Sequence, residues 1–125
     1  MEVQFTDREL DIMGVLWDEG SATVAEVQER LVDDLAYTTV LTILRTLEEK
    51  GYVRHEEEGR AYRYHPKVNR EAAGAHAVRR LVRKLFGGSP EQLLTHLVEE
   101  RGLTAKQLSR MRDLLEKRLR GEEDR

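Results

Sequence analysis

Residues 37–66 read YTTVLTILRTLEEKGYVRHEEEGRAYRYHP, and the hydrophobic period changes partway through. Val40, Ile43, Leu44 and Leu47 recur at helical spacing. This predicts a helix from about Thr38 to Lys50 with those four side chains buried and Gly51 as its stop. From Tyr52 the pattern turns short, aromatic and β-branched. YVRHE and AYRYH, parted by Glu58-Gly59 and closed by Pro66, predict a two-stranded hairpin. At period two, Tyr62 and Tyr64 share a strand face and are expected to pack on the helices, with Arg63 and His65 opposite and Arg60 exposed at the turn.

If the four apolar residues face inward, a step of 100° per residue puts Thr38, Thr39, Thr42, Arg45, Thr46 and Glu49 on the other side. Threonine is a mediocre helix former, so helix stability does not explain four of them on one face. Short hydroxyl side chains let a helix approach a surface closely, offer hydrogen bonds to base edges and phosphates, and present methyls to thymine. Arginine can pair with guanine or clamp a phosphate. Lys50 at the helix end and Arg54, Arg60 and Arg63 on the hairpin are further candidates for phosphate, although Glu56, Glu57 and Glu58 crowd the same turn.

Working outward, Ser or Thr precedes Glu or Gln by three residues at Thr6/Glu9, Thr23/Glu26, Ser89/Gln92 and Thr104/Gln107, each a predicted helix start. The first opens a helix near 7–19, with Leu10, Met13, Leu16 and Trp17 at helical spacing and Gly20 as its end. The second opens a short helix near 24–33. Three short helices and a hairpin are the outline of a winged helix-turn-helix. Beyond Pro66 the helical period returns. Asn69 opens a long fourth helix that ends before Gly87-Gly88; Ser89 and Pro90 open a fifth that ends around Gly102; Thr104 opens a sixth.

Composition narrows the function. The chain has 125 residues, enough for one domain or a small domain with an assembly element. It has no cysteine, which excludes disulfides, thiolate metal sites and a cysteine nucleophile and suits a reducing cytoplasm. No apolar run approaches the roughly 18 residues of a membrane span. The N-terminus lacks a signal-peptide pattern, so a cytoplasmic protein without membrane insertion is expected. His55 and His65 lie on opposing hairpin strands without a third ligand nearby. Neither a metal site nor a cofactor is expected, and no phosphate-cradling loop or nucleophile–base pair suggests an enzyme.

The last third carries apolar stripes on three helices, too little chain for a closed monomeric core. A homodimer is therefore expected, built on Val78, Leu81, Leu85, Leu94, Leu97, Leu108, Met111 and Leu115. The domains divide accordingly: residues 1–68 as a winged-helix DNA-binding domain, 69–125 as a helical dimerisation domain. Charge divides too. Residues 1–66 hold 7 Lys/Arg against 15 Asp/Glu, a net of −8, and residues 67–125 hold 14 against 9, a net of +5. An acidic head leaves open a different function, a protein-interaction module without DNA affinity.

The segments TTVLTILRTLEEKGYV and GRAYRYHP, with the opening TDRELDIMGVLWDEGSATVAEV and the late HLVEERGLTAKQLSRMRDLLEK, resemble the penicillinase-repressor family of BlaI, MecI and CopY transcriptional regulators across nearly the whole chain. The resemblance implies an N-terminal winged helix, a C-terminal dimerisation domain and homodimers that repress transcription at inverted-repeat operators. In the β-lactam-responsive branch a membrane sensor triggers proteolysis in the C-terminal domain. The matching position here is His96-Leu97, which departs from that branch's asparagine-phenylalanine pair and implies a sensor-linked protease as a partner only if the bond is cut. The copper-responsive branch carries a C-terminal cysteine cluster, which this chain lacks.

Overall fold

A computed structural model describes residues 3–121. Helix α1 (Asp7–Glu19) opens with a reciprocal capping box, Thr6 accepting from the Glu9 N–H while Glu9 accepts from the Thr6 N–H, and ends at Gly20. A second such box, Thr23 with Glu26, opens α2 (Val24–Arg30). Just before it, Ala22–Thr23 forms a short strand, β1. Helix α3 (Tyr37–Glu49), strands β2 (Val53–Glu58) and β3 (Ala61–Pro66), then α4 (Arg70–Leu85), α5 (Pro90–Glu99) and α6 (Ala105–Leu119) complete the order.

The expected class, mainly helical with a small β wing, is what the chain adopts, with differences in detail. The sheet has three strands in the order β1-β3-β2, all antiparallel, because Ala22 and Thr23 pair with Tyr64 and Arg63. Helix α2 also stops earlier than the apolar spacing suggested. Leu31 turns to an extended backbone (φ −69, ψ 139), and the Gln28 side chain donates to the Leu35 carbonyl across the turn (3.0 Å), which stabilises the short connection into α3.

The described chain divides into two compact units, separated between Arg79 and Arg80 within α4. In the first, Ile12, Met13 and Leu16 of α1, Val24 and Val27 of α2, Val40, Leu44 and Leu47 of α3, and Tyr52, Val53 and Tyr64 form one buried cluster. Ile43 only flanks it, half-buried. Phe5 packs on Tyr52 (ring centroids 4.8 Å) and edge-on to Trp17. Trp17 Nε1 donates to the Val68 carbonyl (2.8 Å), and Arg70 stacks over the indole, so the start of α4 is fastened to α1. Asn69 caps α4 through the Ala72 N–H (2.7 Å), as its position predicted.

The second unit lacks a comparable core: no residue of α5 or α6 is buried. Ser89 caps α5 at the Gln92 N–H, and Thr104 forms a full box with Gln107 on α6, so these helices are closed at their starts yet open along their apolar faces. Helix α5 ends at Glu99, one turn before the expected Gly102.

Candidate nucleic-acid interface

The end of α3 is set by local chemistry. Gly51 takes φ +85, a conformation that L side chains resist, and lets its own N–H reach the Glu48 carbonyl (3.0 Å) and the Tyr52 N–H reach Leu47 (3.0 Å). These paired bonds satisfy the last carbonyls and turn the chain into β2. At the hairpin tip Gly59 (φ +63) starts a two-residue loop between Glu58 and Ala61, matching the twist of the strands. Helix and wing thus lie next to each other in one unit.

With Val40, Leu44 and Leu47 fully buried, Thr38, Thr39, Thr42, Arg45 and Glu49 are exposed and Thr46 is half-buried. The Thr42 hydroxyl donates to the Thr38 carbonyl (2.9 Å) and the Thr46 hydroxyl to the Thr42 carbonyl (3.1 Å). Both protons are spent on the backbone, so these two side chains offer outward lone pairs and methyls. Tyr37, absent from the expected set, is exposed at the start of the same helix (46%).

The basic residues separate into two groups. Arg45, Arg54 and Arg60 are exposed and make no ion pair among the described residues. Arg63, by contrast, forks onto Glu58 through Nε (2.8 Å) and Nη2 (2.9 Å), while Nη1 reaches Glu26 (3.2 Å) and Ser21 (3.3 Å). The bond from Arg63 holds the Glu58 carboxyl below its usual range, and Glu26 is lowered first by the Thr23 N–H and then by Arg63. Lys50 Nζ sits 3.0 and 2.8 Å from the two oxygens of Glu9. Both Arg63 and Lys50 are thus already engaged by carboxylates.

The wing corrects one expectation. Tyr64 is buried (1%), and burial pushes its phenol up, but Tyr62 on the same face is 40% exposed because it lies nearer the tip, beyond the helices. His55 lies beside Tyr62 with its Nδ1 against the Glu48 carboxylate, which accepts from it (2.6 Å), and His65 is paired with Glu56 (2.7 Å). Among the described residues no group of three or more His, Asp or Glu is placed to hold a metal ion.

In the second unit, Leu81, Leu85, Leu97, Leu108 and Leu115 are exposed, as is Val78 just before the division, and Leu94 and Met111 are half-buried. Exposed His96 stacks with Phe86 (5.1 Å), next to the 48% exposed Leu97.

A buried three-helix head with a three-stranded wing and an outward threonine-arginine stripe defines a winged-helix protein. The chain matches the penicillinase repressor family model over residues 5–117, and it belongs to that family. It is 38% identical over 100 residues to the transcriptional regulator BlaI of Mycobacterium tuberculosis (strain H37Rv), covering 77% of this chain and 72% of that one. The solution structure of the DNA-binding domain of the repressor BlaI is similar at 31% identity and a TM-score of 0.52, over 58% of this chain and 90% of that one. The Bacillus licheniformis BlaI monomeric form, solved in complex with the blaP half-operator, is similar at 31% identity and a TM-score of 0.50, again over 58% and 90%. No described helix is long and apolar enough to cross a membrane.

Proposed function

We propose that this chain is a homodimeric transcriptional repressor whose α3 enters the major groove of an inverted-repeat operator. The outward face of α3, opposite a fully buried one, carries the reading. Thr38, Thr39, Thr42, Arg45 and Thr46 meet base edges and nearby phosphates, with Arg60 at the wing tip on backbone phosphate. Ala36 precedes α3 at the cap position without a side-chain bond, so the first N–H groups of the helix are oriented to favour an anion as well. Support also comes from the likeness to a BlaI form solved on a half-operator.

Residues 1–68 serve as the reading domain and 69–125 as the dimerisation domain. The motive for the dimer is physical: exposed leucines at 81, 85, 97, 108 and 115 on otherwise well-capped helices leave apolar area for a second copy to cover. Two tethered reading heads gain an effective-concentration advantage over one. A signal that severs α5, with His96-Leu97 as the candidate bond, would separate α6 from the rest of the dimerisation domain and release the operator.

Electrophoretic mobility shift with the chain's own upstream DNA tests the reading. A retarded band that weakens steeply with salt is expected, and Arg45→Ala should lower affinity by about 1–3 kcal/mol. The net charge of −8 over residues 1–66 motivates a second reading, a protein-interaction module. On that reading wild-type protein shows no band and Arg45→Ala has nothing to lose.

A further inference from the structure

We infer that Glu9 and Lys50 are positioning residues for the reading helix: their ion pair holds the end of α3 against α1, and Lys50 is not a phosphate contact. This deepens the DNA-binding reading above and rests on it.

The Glu9 side chain is only 4% exposed, and its carboxylate accepts three hydrogen bonds, one from the Thr6 N–H (2.8 Å) and two from Lys50 Nζ. A carboxylate this deep, once unpaired, is strongly destabilising, so the ammonium is held in place. Lys50 is the residue between the last turn of α3 and Gly51, and its own N–H bonds the Thr46 carbonyl (3.0 Å). Its head therefore pins the α3 terminus to the first turn of α1. On the other side of the stop, the Gln4 N–H donates to the Tyr52 hydroxyl (3.2 Å) and Phe5 lies against the Tyr52 ring. The segment from Gln4 to Glu9 thus grips the Lys50–Tyr52 turn at two points.

Arg45 and Thr46 lie about one helical turn before this anchor. Hydrogen bonds to base edges hold over a window of about half an ångström, so an α3 end released from α1 displaces those side chains out of register. The pair is neutral as a whole. It adds no counterion release, which distinguishes it from a cation on phosphate, where each contact contributes about 0.9 to the slope of log affinity against log salt.

The test compares full-length wild type, Lys50→Met, Lys50→Arg and Glu9→Gln on the genomic duplex that wild type selects and on a random duplex, from low to moderate salt. Glu9→Gln keeps the capping box, as Thr104 with Gln107 does within this chain, so it guards against a Lys50 variant that does not fold. We expect Lys50→Met and Glu9→Gln each to weaken the selected duplex about tenfold with the salt slope unchanged and the random duplex unaffected, and Lys50→Arg to restore most of the loss. Amide exchange in residues 45–51 of the free protein should quicken in both weakened variants. A slope lower by about 0.9 in Lys50→Met, with Glu9→Gln neutral or tighter, overturns the inference and makes Lys50 a phosphate contact. Wild-type protein that selects no duplex overturns the DNA reading, and this inference with it.

Discussion

Replacing Leu85 by alanine isolates the proposed dimer from the fold. Leu85 is 68% exposed in the single chain, so the change removes almost no internal packing, and alanine is the best helix former, so α4 keeps its propensity. Leucine and alanine differ by three carbons, worth about 2.4 kcal/mol when taken fully from water to a buried site. Scaled by the exposed fraction, the loss is about 1.6 kcal/mol per copy, and about 3 kcal/mol for the two copies in a symmetric pair. At 1.4 kcal/mol per factor of ten, the dimer dissociation constant should rise by on the order of a hundredfold. Sedimentation equilibrium over a dilution series measures this directly, with thermal unfolding of the head as a control. A wild-type protein that stays a lone subunit at high concentration, or a variant that pairs as tightly as its parent, refutes the reasoning.

Acid should affect Glu9 in a defined direction. Burial opposes its ionisation, but the bonds from Lys50 and the Thr6 N–H outweigh it and leave the carboxyl below its ordinary value. Its contribution is therefore complete above the ordinary carboxylate range and lost as pH falls through the lowered folded value. Urea titrations should show wild type ahead of Glu9→Gln at pH 7, with the gap closing in strong acid; a gap that widens in acid contradicts the assignment. Arg63→Gln removes the clamp on Glu58 and Glu26, and hydrogen exchange in β3 should speed up while α1 stays protected; an unchanged β3 would show the wing is held without it. Gly51→Ala, at φ +85 with open space around the new methyl, should destabilise by about 1 kcal/mol from backbone strain alone, read as a lower denaturation midpoint; no loss would mean the turn relaxes.

Elements encoded within a few residues could be read from the sequence. Thr6/Glu9, Thr23/Glu26 and Thr104/Gln107 became reciprocal capping boxes because both partners lie within one turn, and Gly51 stopped α3 for the same reason. The outward face of α3 followed from spacing, since a period of 3.6 fixes both sides of a helix at once. What depends on distant pairing could not be read. Strand β1 is two residues long and exists only because Tyr64 and Arg63, some 40 positions later, offer it a ladder. The alternation that grouped Tyr62 with Tyr64 could not reveal where the helices beneath the sheet run out. Lys50 and Arg63 read as candidates for phosphate, and spacing could not show that each also holds a distant carboxylate. Glu9 is 41 positions from Lys50 and Glu26 is 37 from Arg63, while the main partner of Arg63, Glu58, is only five away.

The helices that follow Phe86 bury nothing on their own. On the proposed pairing, they make repression a matter of copy number: at concentrations below the dimer dissociation constant, paired subunits vary as the square of the total, so halving the supply leaves about a quarter of the operator-competent form. A promoter under such control switches on over a narrower range of dilution than one held by a single-subunit binder. Growth or slowed synthesis alone would then shift the response, before any inducer acts.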